Sequence, residues 1–204
     1  MPSFAIHTPD SAPAAARDTL EAARKKFGFL PNLLGELAAA PSALNAYVTL
    51  NELLAGSSLR PVEQQVVLIA ASIANGCTYC VAAHTAGLKS AGLLDDQIEA
   101  LREGRPLSDN KLQALRALTT AIVSQRGRIT EGELQQFVDA GFAQEQVLEV
   151  LLGVAMKTLS NYTNHIAETP LDNAFAAAAW SGKAAARALE SAAPASPRGP
   201  QPSR

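Results

Sequence analysis

Apolar side chains recur along this chain every three or four residues, which is the spacing of helices packed against a core. No segment between turn residues shows the alternation of Val, Thr and Tyr that is typical of a strand. Glycine and proline interrupt the helical pattern and so predict where each helix ends. The predicted helices cover residues 14–27, 32–39, 42–55, 61–74, a segment from near Gly76 to Gly92, 95–103, 109–124, 131–139 and 144–167. The pattern therefore predicts an all-α fold.

The two ends of the chain differ in composition from its middle. With 204 residues, 48% of them apolar, the chain is long enough for one domain with a substantial core. We expect an N-terminal arm over residues 1–12 and a single helical domain over residues 13–183. Residues 184–204 contain the run A-P-A-S-P-R-G-P-Q-P-S-R, which is polar and rich in proline, and we expect a disordered tail there.

Charge and hydropathy exclude several classes of partner. The net charge of -2 provides no basic field for a nucleic acid or an anionic membrane surface. The N-terminus lacks the pattern of a signal peptide, and no run of 18 apolar residues is long enough to span a membrane. We therefore expect a cytoplasmic protein. In that reducing compartment, two neighbouring cysteines indicate redox chemistry or metal binding more than a structural disulfide.

The stretch N-G-C-T-Y-C-V-A-A-H, residues 75–84, contains both cysteines of the chain. On a helix that begins near Gly76, Cys77, Cys80 and His84 share one face, because they are separated by three and four residues. A helix N-terminus, a second cysteine and a nearby imidazolium each lower the pKa of a thiol. Cys80, one turn before His84, is the better candidate for an activated nucleophile, and Cys77 is placed to form a disulfide with it after oxidation.

The segment P-V-E-Q-Q-V-V-L-I-A-A-S-I-A-N-G-C-T-Y-C-V-A-A-H-T resembles the core of the AhpD-like alkylhydroperoxidases, within the carboxymuconolactone decarboxylase superfamily. F-G-F-L-P-N-L-L-G near residue 30 and V-L-L-G-V-A-M-K-T-L-S-N-Y-T-N-H near residue 160 resemble segments of its peroxidase-related branch, so the resemblance spans about residues 25 to 175. It implies an all-α homo-oligomer, a trimer or hexamer, with the Cys-x-x-Cys motif at the N-terminus of a central helix.

The resemblance also implies an activity, the reduction of small organic hydroperoxides by thiols without haem, flavin or metal. In this family the second cysteine, here Cys80, attacks the peroxide and the first, here Cys77, resolves the product. A histidine, here His84, relays the proton together with a glutamate. The partners implied are an organic hydroperoxide and a dithiol or dihydrolipoyl-type reductant.

The position of the family glutamate holds Gln65 in this chain, and the nearest carboxylate is Glu63. If the helices on either side of Asn75-Gly76 are antiparallel, Gln65 lies beside His84. Glu63 is rotated by about 200° from Gln65 on the same helix, so both side chains cannot point at one ring. Glu63 also has a purely structural interpretation, since it occupies the third position of a helix that starts at Pro61, where a carboxylate is favoured. A glutamine can orient an imidazole but cannot accept its proton.

Four alternatives remain open from the sequence. The two cysteines can be buried structural thiols, or they can bind zinc with His84 and a fourth ligand such as His165. His165 otherwise has a structural or interface role at the end of its helix. Gln65 also fits an oligomeric redox-sensing or binding module with weak peroxidase activity. Decarboxylation of a lactone, suggested by the superfamily name, gives the cysteine pair no evident role.

Overall fold

The computed structural model describes residues 4–182, and within that range it contains nine α-helices, one 3₁₀ helix and no strand. The α-helices are α1 (Ala14–Phe27), α2 (Asn32–Leu37), α3 (Pro41–Ala55), α4 (Pro61–Ala74), α5 (Thr78–Ser90), α6 (Asp95–Glu103), α7 (Asn110–Ser124), α8 (Glu131–Asp139) and α9 (Gln146–Ala167). The 3₁₀ helix Asn173–Ala178 follows α9.

The all-α prediction is confirmed, and every predicted helix is present with its ends within a few residues of the predicted ones. The short 3₁₀ helix Asn173–Ala178 was not predicted, because six residues that are mostly alanine leave no periodic pattern. No helix in residues 4–182 is both long and apolar enough to traverse a bilayer. The predicted disordered tail, residues 184–204, lies outside the described residues.

Helix α4 lies at the centre of the domain, as its apolar sequence predicted. All residues from Val66 to Ser72 are buried, so this part of α4 has no solvent face. Helices α5, α7 and α9 surround it and contribute apolar side chains such as Val81, Leu115 and Val150 to the same core. Each such side chain stabilises the fold by about 1.5–3 kcal/mol through its removal from water.

The turn between α4 and α5 makes these two helices an antiparallel pair. Gly76 has a φ of 69°, a left-handed conformation that glycine adopts without strain. The Cys77 N–H then donates to the Ser72 carbonyl at 2.9 Å, which closes the turn. The reversal aligns the first half of α4 with the second half of α5, and thereby places Gln65 next to His84.

Helix α9 approaches α4 closely because Gly153 has no side chain. A Cβ atom at this position would lie 2.6 Å from Val67 Cγ1. The buried face of α9 then continues away from Gly153 toward the start of α5, and it becomes polar there. The buried polar residues are Lys157, Ser160, Asn161 and Asn164. Four polar groups in one buried stripe require partners, and those partners define the site described next.

Candidate active site

Both cysteines lie at the beginning of α5 and are free thiols. Cys77 is the N-cap residue of α5, and Cys80 lies in its first turn. The unpaired N–H groups of a first turn create a positive potential that favours an anion. Each cysteine exposes only 1% of its surface, so the polar groups around the two sulfurs come from the protein.

The buried face of α9 supplies these polar groups. The Asn164 amide donates from Nδ2 to Cys80 Sγ at 3.0 Å and lies 3.5 Å from Cys77 Sγ. Ser160 Oγ is 4.0 Å from Cys80 Sγ. Asn161 is oriented from α4 and its following turn, because Asn75 Nδ2 donates to Asn161 Oδ1 at 2.9 Å. The Asn164 amide is thus a donor that points at Cys80 Sγ, and such a donor favours the ionised form of the sulfur.

Lys157 is the cation of the site, and the sequence interpretation missed it. Its side chain is 1% exposed, lines the same cavity as Cys80, and its charge acts on the pKa of the Cys80 thiol. Within residues 4–182 it forms no salt bridge with a carboxylate. A buried ammonium without a counter-charge is very costly, so the Cys80 thiolate is the group that compensates it. The signal in the sequence was a lone lysine on the apolar stripe of α9, four residues after Gly153 and four before Asn161.

The surroundings of the two thiols move their pKa values in opposite directions. Burial alone raises the pKa of Cys80, but the Cys77 thiol, the Lys157 ammonium and Asn161 outweigh burial and hold that pKa well below its usual value. The pKa of Cys77 is raised, first because its thiol hydrogen-bonds Cys80 and second because it is buried. Of the two thiols, Cys80 is therefore the one that ionises first, and Cys77 is the thiol that donates to it.

His84 contacts Gln65, as the antiparallel helix pair predicted. His84 Nδ1 lies 3.1 Å from Gln65 Oε1, so Nδ1 carries the hydrogen and Nε2 is left as an acceptor. The Gln65 side chain rests on Gly87, where a Cβ atom would lie 2.3 Å from Oε1. Burial, followed by the charge of Lys157, lowers the pKa of His84 well below its usual value. The ring is neutral, and the positive charge beside Cys80 belongs to Lys157 instead of an imidazolium.

Glu63 lies apart from this cluster and acts on the end of its own helix. Its Oε2 accepts from the Arg60 N–H at 2.8 Å, and its Oε1 accepts from Arg60 Nε at 2.9 Å. Lys111 Nζ is 3.7 Å from the same carboxylate. These contacts match the structural role predicted for Glu63, that of a carboxylate at the N-terminus of α4. Of Gln65 and Glu63, only Gln65 contacts His84.

A cavity of about 460 Å³ leads to Cys80. Its wall is mainly apolar and aromatic, with the side chains of Phe27, Phe29, Leu33, Leu34, Tyr47, Leu54, Leu68, Tyr79 and Phe175. Cys80, His84, Gln65 and Lys157 line the same cavity, whereas Cys77 is not among its lining residues. A molecule in the cavity thus meets Cys80 first, with Cys77 behind it.

The remaining residues that the sequence suggested for the site, Tyr79 and His165, lie at its edge or outside it. Tyr79 lines the cavity, but its hydroxyl donates to Asp172 at 2.5 Å. His165 is on the exposed face of α9, stacked on Tyr162, so it does not approach the cysteines. In the described range, no cluster of three or more His, Cys, Asp or Glu side chains is arranged to hold a metal ion.

The sequence model of the carboxymuconolactone decarboxylase family matches residues 41–121, which include α4, α5 and the Cys-x-x-Cys motif. No curated protein gave a match to the sequence.

Solved structures share the fold at low sequence identity. One is the alkylhydroperoxidase AhpD core of an uncharacterized peroxidase-related protein from Ralstonia eutropha JMP134, with 21% identity, a TM-score of 0.70, and coverage of 86% of this chain and 96% of that chain. A peroxidase-related protein from Silicibacter sp. TM1040 has 20% identity, a TM-score of 0.67, and coverage of 80% and 87%. The debrominase Bmp8 has 15% identity, a TM-score of 0.72, and coverage of 86% and 95%. The domain therefore has the AhpD-like fold.

Proposed function

From the match of residues 41–121 to the carboxymuconolactone decarboxylase family and the AhpD-like fold of the domain, we propose that the protein is a thiol-dependent peroxidase that reduces organic hydroperoxides. The observation that carries the proposal is the asymmetry of the two cysteines. Cys80 is the sulfur that lines the cavity and the sulfur that Lys157 and Asn164 stabilise as an anion. Cys77 remains a thiol behind it, which is the arrangement that an attacking and a resolving cysteine need.

The proposed cycle has three steps. The Cys80 thiolate attacks the outer oxygen of the hydroperoxide and becomes a sulfenic acid, while the O–O bond breaks and an alcohol leaves. The Cys77 sulfur then attacks Cys80, a disulfide forms and water leaves. An external dithiol, such as a dihydrolipoyl group, reduces the disulfide. We propose a cytoplasmic location, where such dithiols are available.

The cavity favours a small organic substrate over hydrogen peroxide. Aromatic and aliphatic side chains make up most of its wall, so an apolar group on the peroxide gains free energy by leaving water. The reacting groups at the cavity base belong to the protein, and this chemistry requires no haem, flavin or metal.

His84 serves in this scheme as an oriented acceptor of hydrogen bonds. Gln65 fixes the ring through Nδ1, and Nε2 can then accept the hydrogen of an incoming hydroperoxide. Because Gln65 cannot take a proton from the ring, a relay through a glutamate is absent at this position. This feature favours the second candidate, a redox-sensing or binding module that forms the disulfide but turns over slowly.

Turnover of cumene hydroperoxide with excess dithiothreitol tests the proposal. Cys80→Ser should abolish turnover, and Cys77→Ser treated with the peroxide in the absence of dithiothreitol should consume one peroxide per chain and hold a dimedone-reactive sulfenic acid at Cys80. Glu63→Gln is the matched control, because Glu63 lies on α4 but outside the cavity, and it should keep wild-type turnover. Undiminished activity in Cys80→Ser would refute the peroxidase assignment.

Gln65→Glu separates the two candidates. If slow turnover reflects the missing carboxylate, this variant should raise the rate, because a carboxylate at Oε1 can take the proton that the amide cannot. A wild-type protein that is oxidised readily but consumes peroxide slowly, and that Gln65→Glu accelerates, favours the sensor. Rapid wild-type turnover favours the peroxidase.

We also propose a homo-trimer or homo-hexamer. The outward face of α9 exposes four large apolar side chains at helical spacing, Leu148 and Leu151 near its start and Tyr162 and Ile166 near its end. Such exposed apolar side chains favour association between subunits. Light scattering should give a multiple of the 21.3 kDa chain mass, and Ile166→Glu should lower it. A monomeric wild-type protein would contradict the assembly.

A further inference from the structure

The first step of the proposed cycle requires a proton donor. When a thiolate attacks the outer oxygen of an alkyl hydroperoxide, the leaving group is an alkoxide, which is a strong base. Inside a cavity with an apolar wall, water cannot supply this proton efficiently. A group of the protein that faces the cavity and carries an acidic hydrogen is needed to obtain a rapid reaction.

Most polar groups of the cavity do not fit this role. His84 is neutral and directs its hydrogen at a glutamine, so its free nitrogen can only accept. Burial raises the pKa of both Tyr47 and Tyr79, which makes them poor acids. Lys26 lines the cavity but is exposed, away from the buried sulfurs. Lys157 is buried and lines the cavity together with the reacting Cys80.

We infer that Lys157 is the general acid of the peroxide step, donating its proton from Nζ to the alkoxide as the O–O bond breaks. This inference rests on the proposed function. It extends the family scheme, because the proton donor comes from α9 and the histidine acts only as an acceptor.

The contacts of Lys157 explain when the proton is released. The titratable groups that face it are Tyr47 from α3 and Cys77, Cys80 and His84 from α5. Burial lowers the pKa of Lys157, but Cys80 first, and then Tyr47 and Cys77, raise it by more, so the resting lysine holds its proton. When Cys80 becomes a neutral sulfenic acid, the ammonium loses its counter-charge, and burial then favours the amine. The lysine becomes acidic at the moment when the alkoxide forms.

Atoms and electrons balance over the cycle. In the first step the Cys80 sulfur is oxidised by two electrons, the O–O bond is reduced, and Lys157 passes one proton to the alkoxide to give the alcohol. In the second step the Cys77 thiol hydrogen leaves with the hydroxyl of Cys80 as water. The external dithiol then supplies two electrons and two hydrogens, of which one restores the Cys77 thiol and the other returns to Lys157.

Lys157→Arg separates acid catalysis from charge stabilisation, because arginine keeps the positive charge but does not release a proton. The rate of sulfenic acid formation is measured by stopped flow with two oxidants, cumene hydroperoxide and peracetic acid. The carboxylate that leaves peracetic acid needs no proton. We expect Lys157→Arg to slow the reaction with cumene hydroperoxide by about 10²-fold or more and that with peracetic acid by less than about tenfold.

Lys89→Arg, the same substitution at an exposed lysine of α5, is the matched control and should react with both oxidants like the wild type. Equal slowing of both oxidants by Lys157→Arg would overturn the inference, whereas a wild type that reduces neither oxidant would overturn the proposed function itself. A second measurement avoids any effect of the substitution on folding. In heavy water, the rate of the wild-type reaction with cumene hydroperoxide should fall, and its rate with peracetic acid should not change. Equal isotope effects on the two rates would also overturn the inference.

Discussion

Replacement of Lys157 by methionine tests whether the Lys157 ammonium stabilises the Cys80 thiolate. Methionine has a similar length and no charge, so Lys157→Met removes the ammonium from the Cys80 sulfur while it still fills the buried volume on α9. The Asn164 and Cys77 hydrogen bonds to Cys80 remain in the variant. We expect the Cys80 thiolate to become scarce at neutral pH, because its only buried counter-charge in the described residues is lost.

The magnitude follows from Coulomb's law. Two unit charges at roughly 4 Å, with an effective dielectric constant of about 20, attract each other by about 4 kcal/mol. Since about 1.4 kcal/mol corresponds to a tenfold change in an equilibrium, the full loss would reduce the thiolate population by about 10³-fold. The remaining donors around Cys80 compensate for part of the loss. We therefore expect alkylation of Cys80 near pH 7 to slow by about 10²- to 10³-fold.

The assay is the rate of iodoacetamide labelling at Cys80, resolved by peptide mass spectrometry. Lys89→Met is the control, because Lys89 is exposed on α5 and forms only a surface ion pair with Asp95. Its labelling rate should equal that of the wild type. If Lys157→Met labels as rapidly as the wild type while its melting temperature is unchanged, Lys157 does not stabilise the thiolate and the electrostatic explanation fails.

Three further substitutions separate orientation, helix capping and buried charge. Gly87→Ala places a methyl group 2.3 Å from Gln65 Oε1 and should displace Gln65 from His84. Peroxide turnover should then fall about tenfold, with no loss of thermal stability. Unchanged turnover would contradict the role of Gln65 in orienting His84. Glu63→Ala removes the carboxylate that accepts from Arg60 and should lower the melting temperature by about 2–4 °C, with an unchanged rate of Cys80 alkylation. Burial raises the pKa of Glu36, so its folding contribution is favourable at low pH and is lost as the pH rises through the folded value. Calorimetry should therefore show that Glu36→Gln stabilises the protein more at about pH 8 than at about pH 4, and the opposite trend would refute this assignment.

The fold could be predicted from the sequence because the glycine and proline residues that begin and end its helices act locally. Gly28, Gly76 and Gly104 adopt left-handed conformations at or next to helix ends, and Pro41 and Pro61 begin helices. Such signals depend on the backbone preferences of single residues, so they can be recognised without knowledge of tertiary contacts.

The hairpin of α4 and α5 also made part of the site predictable. Once the turn at Gly76 fixes two antiparallel helices, the distance along each helix places Gln65 beside His84, and the structure has this contact at 3.1 Å. The stripe of Cys77 and Cys80 follows from helical periodicity in the same way. These parts of the site depend only on a short connection within one segment of the chain.

The contribution of α9 was not predictable, because it depends on a tertiary contact between segments about 80 residues apart. Lys157 and Asn164 reach the sulfurs only because Gly153 lets α9 approach α4 closely. In the sequence, Lys157 interrupts an apolar stripe. A lysine at the edge of a buried helix face, with its ammonium in solvent, gives the same pattern. Only its burial in the fold identifies it as the counter-charge of a thiolate.

The rates at which the two cysteines of the reduced wild-type protein are alkylated, measured between about pH 6 and pH 9, test the central claim most directly. If the site holds Cys80 as an anion beside a protonated Cys77, Cys80 should label nearly as fast at about pH 7 as at about pH 9, and Cys77 should label slowly throughout. Two cysteines that label at equal rates, each rising about tenfold per pH unit up to the pKa of an ordinary thiol near 8.5, would contradict the account.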